Sequence, residues 1–217
     1  MRGDVLVIRP AHREAATQIA DLLTDRLNST DACLAIGIAG ESGSGKSEIA
    51  ASLQDALHRR SIVSVILQQD DYFLLPPHKN DANRRADIGW VGPQEVDLER
   101  LDRDVHTLLA GALQLEKPLV VYNENRITTE TLMTSGCQVV ITEGTYVSLL
   151  TSLHIRIFID RDFRMTLEAR RTRNRDPLDS FIEQVLRIEH AEIQTHKRLA
   201  DIVIAEDYSV REVIPES

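Results

Sequence analysis

Residues 40–47 read Gly40-Glu41-Ser42-Gly43-Ser44-Gly45-Lys46-Ser47, a complete G-x-x-x-x-G-K-[ST] phosphate loop. Each fixed residue type has a physical task. Glycines let successive backbone N–H groups turn inward around a polyphosphate. Lys46 brings a point charge to the β and γ phosphates, and the Ser47 hydroxyl suits a Mg²⁺ ion. Upstream lies Cys33-Leu34-Ala35-Ile36-Gly37-Ile38-Ala39, an apolar run of strand length. Downstream, Glu48 to Leu57 carries apolar residues at helical spacing, and such a helix adds the positive end of its dipole. Strand, glycine loop and helix is the order the motif requires. All eight loop residues are therefore candidate nucleotide-binding positions.

Outward from the loop, the chain alternates strand and helix. Residues 12–28 form an amphipathic helix through Ala15, Ala16, Ile19, Leu22, Leu23 and Leu27. Residues 1–30 are thus an N-terminal extension, with a short strand or an ordered arm over 4–8. Strands are expected at 61–68, 138–142, 155–159 and 202–205, and helices at 96–113, 163–173 and 179–199. Residues 74–95, rich in proline and polar side chains without a period, read as a loop near the active site. Alternating strands and helices imply an α/β fold with a mostly parallel sheet covered on both faces. The 217 residues read as a single domain.

A net charge of −9 argues against nucleic-acid binding driven by overall charge. No apolar run reaches the roughly 20 residues of a membrane span, and Met1-Arg2-Gly3-Asp4 does not open a signal peptide. Two cysteines, Cys33 and Cys137, read as buried structural thiols near the starts of central strands rather than as a redox pair. A cytoplasmic location is the expectation.

Ligands of such sheets bind beyond the carboxyl ends of the strands, so chemistry is sought there. The second strand ends in Gln69-Asp70-Asp71-Tyr72-Phe73. A phosphoryl-accepting hydroxyl needs a carboxylate to orient it and take its proton, and Asp70 is the candidate. Successive side chains on a strand point opposite ways, so Asp70 and Asp71 are expected to differ in role. The third strand runs Val139-Val140-Ile141-Thr142-Glu143-Gly144, and Glu143 is a candidate for holding Mg²⁺ with Ser47. Arg161, Arg164, Arg170, Arg171, Arg173 and Arg175 invert the local charge of an acidic chain. Residues 161–178 therefore read as an arginine-rich lid, with Arg170 and Arg173 on nucleotide and Arg171 on the migrating phosphoryl group. Some of these arginines pair instead with nearby acids. Trp90 and Tyr122 either stack on the acceptor or pack, and Tyr72 and Arg126 complete the candidate acceptor set. His190 and His196 lack ligand spacing and read as ordinary helix residues.

The order of these motifs, ending in Ala200-Asp201-Ile202-Val203-Ile204, resembles the uridine kinase-like group of P-loop kinases over residues 33–205. That group includes uridine-cytidine kinases, nicotinamide riboside kinases, phosphoribulokinases and bacterial pantothenate kinases. The resemblance implies a P-loop NTPase three-layer sandwich with a five-stranded sheet of order 2-3-1-4-5. It gives Asp70 the place of the catalytic carboxylate, Lys46 and Ser47 those of the phosphate lysine and the Mg²⁺ hydroxyl, and Glu143 that of the acid in the E-G motif. One departure concerns the acceptor. Within Gly89-Trp90-Val91-Gly92-Pro93-Gln94-Glu95-Val96-Asp97, Val91 falls where the nucleoside kinases carry a ribose-binding aspartate. The Pro-Val-Tyr stretch survives only as Leu119-Val120-Val121-Tyr122, and the base-reading histidine has no clear counterpart.

The expectation is an ATP- and Mg²⁺-dependent kinase acting on a hydroxyl of a nucleoside, sugar or related metabolite. Many relatives are oligomeric, so a homo-oligomer fits the resemblance. The competing reading is a nucleotide-binding regulatory module without phosphotransfer. The chain lacks the Asn-Lys-x-Asp motif of GTPases and the Leu-Ser-Gly-Gly signature of transporter ATPases.

Overall fold

A computed structural model describes residues 1–3, 5–27, 32–165 and 180–213. In chain order the elements are α1 (Pro10–Leu27), β1 (Leu34–Gly40), α2 (Lys46–His58), β2 (Ser64–Gln68), α3 (Pro77–Ala86), α4 (Leu98–Leu109), β3 (Gln114–Val121), β4 (Arg126–Met133), β5 (Val139–Gly144), β6 (Ile155–Ile159), α5 (Ser180–Ile193), β7 (Ile202–Ile204) and β8 (Val210–Glu212). The main sheet has the order β2-β5-β1-β6-β7-β8. Its first five strands are parallel and follow the expected 2-3-1-4-5 order. The sixth, β8, adds an antiparallel edge after β7.

The sheet is buried on both faces because its strands alternate two apolar sets. Ile36, Ile38, Ile141 and Ile157 meet Ala15, Ile19 and Leu23 of α1 and Ile49, Leu53 and Leu57 of α2. Ala35, Ala39, Val140 and Phe158 meet Leu101, Val105 and Leu108 of α4, with Tyr72, Tyr146 and Ile193. The three-layer sandwich follows directly. The N-terminal helix is one of its layers, packed on α2 rather than appended to the edge.

Four sequence expectations change. Residues 74–95 hold α3 and two 3-10 turns, Ile88–Trp90 and Pro93–Glu95, rather than an open loop. The helix Pro77-His78-Lys79-Asn80-Asp81-Ala82-Asn83-Arg84-Arg85-Ala86 has almost no apolar face, so periodicity could not reveal it. Polar bonds hold it instead, from Asn80 and Arg84 to the fully buried Glu95. Second, β3 and β4 form an antiparallel hairpin that the sequence reading missed. Its turn is the 3-10 segment Tyr122–Glu124 closed by Asn125 in the left-handed region (φ 47°). Pro118 within β3 masked the strand signal. Third, residues 5–9 are not a strand; among the described residues near the N-terminus, only Arg2 makes a bridge, to Val121. Fourth, the helix expected to 199 ends at Ile193 and continues as a 3-10 segment, Gln194–Leu199. The helix expected at 163–173 falls mostly outside the described residues, and Phe163 to Met165 form a turn. Cys33 directly precedes β1 and Cys137 stands two residues before β5; both are free thiols, half-buried rather than buried.

Candidate active site

The register brings the strand ends together. Gln68 at the end of β2 lies opposite Glu143 near the end of β5, and Ala39 of β1 lies opposite Gly144. The phosphate loop leaves β1 at this point, and the segment from Gln69 to Tyr72 turns across it as a 3-10 helix. Thus Lys46, Ser47, Asp70 and Glu143 converge from three strands on one edge of the sheet.

The loop has the backbone a polyphosphate needs. Gly43 and Gly45 sit at φ 77° and 105°, in the left-handed region that side chains rarely adopt. A Cβ on Gly45 would also meet the Tyr208 hydroxyl at 2.9 Å. Gly45 is the N-cap of α2 and offers no side-chain acceptor, so the first N–H groups of that helix lack a capping side chain. Lys46 Nζ donates to the carbonyl of Glu41 at 2.9 Å, across the mouth of the loop.

Ser47 Oγ donates to Glu143 Oε1 at 3.1 Å, and Gln68 Nε2 donates to the same oxygen at 3.2 Å. Burial pushes the Glu143 carboxyl above the ordinary carboxylate range, and the charge of Asp70 adds to this; Lys46 and the Ser47 hydroxyl oppose it. Among the described residues no cluster of three or more His, Cys, Asp or Glu forms a metal-holding group. A Mg²⁺ ion, which keeps waters and phosphate oxygens in its shell, fits the hydroxyl and carboxylate pair of Ser47 and Glu143. Gly144 is required by close approach, since a Cβ there would stand 2.2 Å from Gln69 Cβ. Gln69 in turn accepts the N–H of Tyr146 at 2.6 Å, which pins the Asp70 segment to the end of β5.

Asp71 is bonded to the hairpin. It is buried, accepts Lys117 Nζ at 2.6 Å through Oδ2 and the N–H of Val120 at 3.0 Å through Oδ1, and lies 3.0 Å from the α-amino group of Met1. It therefore ties the segment Gln69–Tyr72 to the hairpin. Tyr72 leaves the acceptor set: its ring is in the core and its hydroxyl donates to Asp104 at 2.7 Å. Burial, with the Asp104 bond and charge, pushes its phenol well above the usual range. Trp90 is half-buried and its indole N–H donates to Asn80 Oδ1 at 2.9 Å. Tyr122 is half-buried at the hairpin turn, and Arg126 is exposed and paired with Glu124 at 2.5 Å. Val91 is buried between the two 3-10 turns. Arg170, Arg171, Arg173 and Arg175 lie outside the described residues.

Two residues have contacts beyond their sequence reading: Glu41, expected as a nucleotide-binding loop position, and His190, expected as an ordinary helix residue. The side chain of Glu41 turns away from the phosphate cradle, where Oε2 accepts the N–H of Phe163 at 2.7 Å. His190 Nδ1 stands 2.6 Å from its Oε1, so His190 is no ordinary helix residue. His196 is buried, edge-on to Tyr146 with ring centroids 6.4 Å apart. Long sequence separation, 149 residues for Glu41 and His190, left no local signal for these contacts.

No helix of the described residues is long and apolar enough to cross a membrane. The chain matches the Phosphoribulokinase / Uridine kinase family over residues 35–203. It is 32% identical over 189 residues to a uridine kinase of Bacillus cytotoxicus, covering 82% of this chain and 87% of that protein. It is 30% identical over 184 residues to a uridine kinase of Halalkalibacterium halodurans, covering 79% and 85%. Among solved structures, a possible uridine kinase from Bacillus stearothermophilus superposes with a TM-score of 0.61 at 20% identity, covering 86% of this chain and 97% of that one. A D-glycerate 3-kinase from Cryptococcus neoformans superposes with a TM-score of 0.64 at 13% identity, covering 91% and 99%. These two structures share the fold. The chain belongs to the phosphoribulokinase and uridine kinase family and is a small-molecule kinase, a phosphotransferase whose acceptor is a hydroxyl group.

Proposed function

We propose that the protein transfers the γ-phosphoryl group of ATP to a hydroxyl of a nucleoside, sugar or related metabolite. The observation that carries this reading is the convergence of Lys46, Ser47, Glu143 and Asp70 at the ends of β1, β2 and β5. The loop N–H groups and the start of α2 bind the phosphates, and Lys46 follows the charge that develops on the migrating group. Mg²⁺, held by Ser47 and Glu143, would neutralise phosphate charge there. Asp70 orients the acceptor hydroxyl and takes its proton. Gln68 and Gln69 fix Glu143 and the Asp70 segment relative to each other. Arg170, Arg171 and Arg173 are proposed to meet the phosphates from the lid.

The acceptor wall is set by Trp90, Tyr122 and Arg126. Val91 offers no hydrogen bond to a ribose hydroxyl, and a site without partners for a substrate's hydroxyls binds that substrate poorly. This favours an acceptor other than uridine, although the curated relatives named above are uridine kinases.

A mass-spectrometric transfer screen tests the reading. Protein, Mg²⁺ and ATP are mixed with pooled nucleosides, nicotinamide riboside, pantothenate, sugars and sugar phosphates, with Asp70→Asn in parallel. A product heavier by one phosphoryl group, formed by the wild type alone, supports it and identifies the acceptor class. ATP bound without turnover on any member of a broad pool would favour a nucleotide-binding module.

A further inference from the structure

Helix α5 touches the phosphate loop and α3 through consecutive residues. His190 Nδ1 faces Glu41 Oε1 of the phosphate loop at 2.6 Å, and Gln194, just beyond the helix, donates to the same oxygen at 3.2 Å. Its neighbour Glu189 accepts Arg84 Nη2 of α3 at 3.2 Å. Adjacent helical residues point about 100° apart, which lets one helix hold two walls. From Arg84 the bonds continue. Its Nε donates to Glu95 Oε2 at 2.6 Å, Asn80 Nδ2 donates to the same oxygen at 2.5 Å, and Asn80 Oδ1 accepts the indole N–H of Trp90 at 2.9 Å. Glu41, Glu189, Glu95 and Asn80 are all buried. Bonds among buried polar groups are poorly screened and costly to leave unmade, so a shift at one end is transmitted rather than absorbed by water.

The end at the loop is poised to shift. Lys46 Nζ donates to the backbone carbonyl of Glu41, the residue whose carboxylate holds His190 and the N–H of Phe163. A polyphosphate that draws the Lys46 ammonium toward itself takes a donor from Glu41 and acts on the whole residue. We propose that Glu41 is a positioning residue that carries occupancy of the phosphate loop, through His190 and Glu189 of α5, to Arg84, Asn80 and Trp90 on the acceptor side. This rests on the nucleotide reading above and adds a route by which donor binding prepares the acceptor wall.

Trp90 is the sole tryptophan of the chain, so its emission reports on the far end of this relay. Calorimetry establishes binding of ATP with Mg²⁺, and Trp90 fluorescence is followed under the same conditions. The wild type is expected to show both binding heat and a shift in emission. Glu189→Ala leaves Arg84 paired with Glu95 and removes its ion pair to α5, while the Arg85–Phe181 ring contact between α3 and α5 stays in place. It is expected to bind ATP with loss of the emission shift. Binding heat with silent emission in the wild type overturns the relay, as does a full emission shift in Glu189→Ala. Should that variant fail to fold, hydrogen exchange over residues 77–95 of the wild type decides. Slower exchange with ATP supports the relay, and unchanged exchange overturns it. A wild type without binding heat overturns the nucleotide reading itself, and the relay with it.

Discussion

Asp70 and Asp71 are adjacent in the chain, yet Asp71 is bonded to the hairpin while Asp70 lies near Glu143 of β5. Asp71 is buried on Lys117, which Glu130 also holds at 2.7 Å. Asp70 is half-buried and lies close enough to Glu143 for its charge to raise that carboxyl. One acid anchors the hairpin and the other lies near Glu143 at the strand ends.

The two acids should therefore fail differently. Asp70→Asn is expected to lower transfer by about 10²–10⁴-fold, the usual worth of a general base, and to spare ATP binding. Asp71→Asn is expected to destabilise the fold by about 3 kcal/mol. That is the low end for removing one partner of a buried pair, since Glu130 remains on Lys117. Urea unfolding and single-turnover rates separate them. Full transfer by Asp70→Asn would remove it as the base.

Lys46→Ala should weaken nucleotide binding and transfer together. Loss of a charge-assisted bond of about 1.5–3 kcal/mol predicts affinity lower by about 10- to 100-fold. Calorimetry with ATP and Mg²⁺ measures this. An unchanged affinity would contradict the reading of the phosphate loop.

Tyr72→Phe removes the bond to Asp104 in a packed environment. A loss of about 1 kcal/mol in stability is expected, larger if Asp104 stays unsatisfied. A raised acceptor KM at unchanged stability would return Tyr72 to the acceptor pocket.

His196 gives a pH dependence. Burial lowers its imidazole pKa below the ordinary value, with Arg198 acting the same way and Glu192 opposing; the Tyr146 ring packs against it. The unfolded chain therefore binds the proton more tightly than the folded one. This contribution to stability is complete above about pH 6.5 and is lost as pH falls through that value toward the lower folded pKa. Chemical denaturation at several pH values should show stability falling over this window. In His196→Phe the fall should be shallower; an identical slope would place its source elsewhere.

The family resemblance implied the strand order; the mostly parallel sheet and the phosphate loop were legible in the residues themselves. These are local signals: the glycine loop, apolar strand runs, and acids just past strand ends. Lys46, Ser47, Asp70 and Glu143 could be proposed from sequence because each sits at a fixed place in such a signal. The tertiary structure decided what depends on distant partners. Helix α3 exists because Asn80 and Arg84 bond to Glu95, not because it has an apolar face. Asp71 is structural because Lys117, 46 residues away, meets it. Glu41 is more than a loop position because His190 reaches it from α5. A buried polar contact is specified by two residues and the fold between them, so neither stretch of sequence announces it alone.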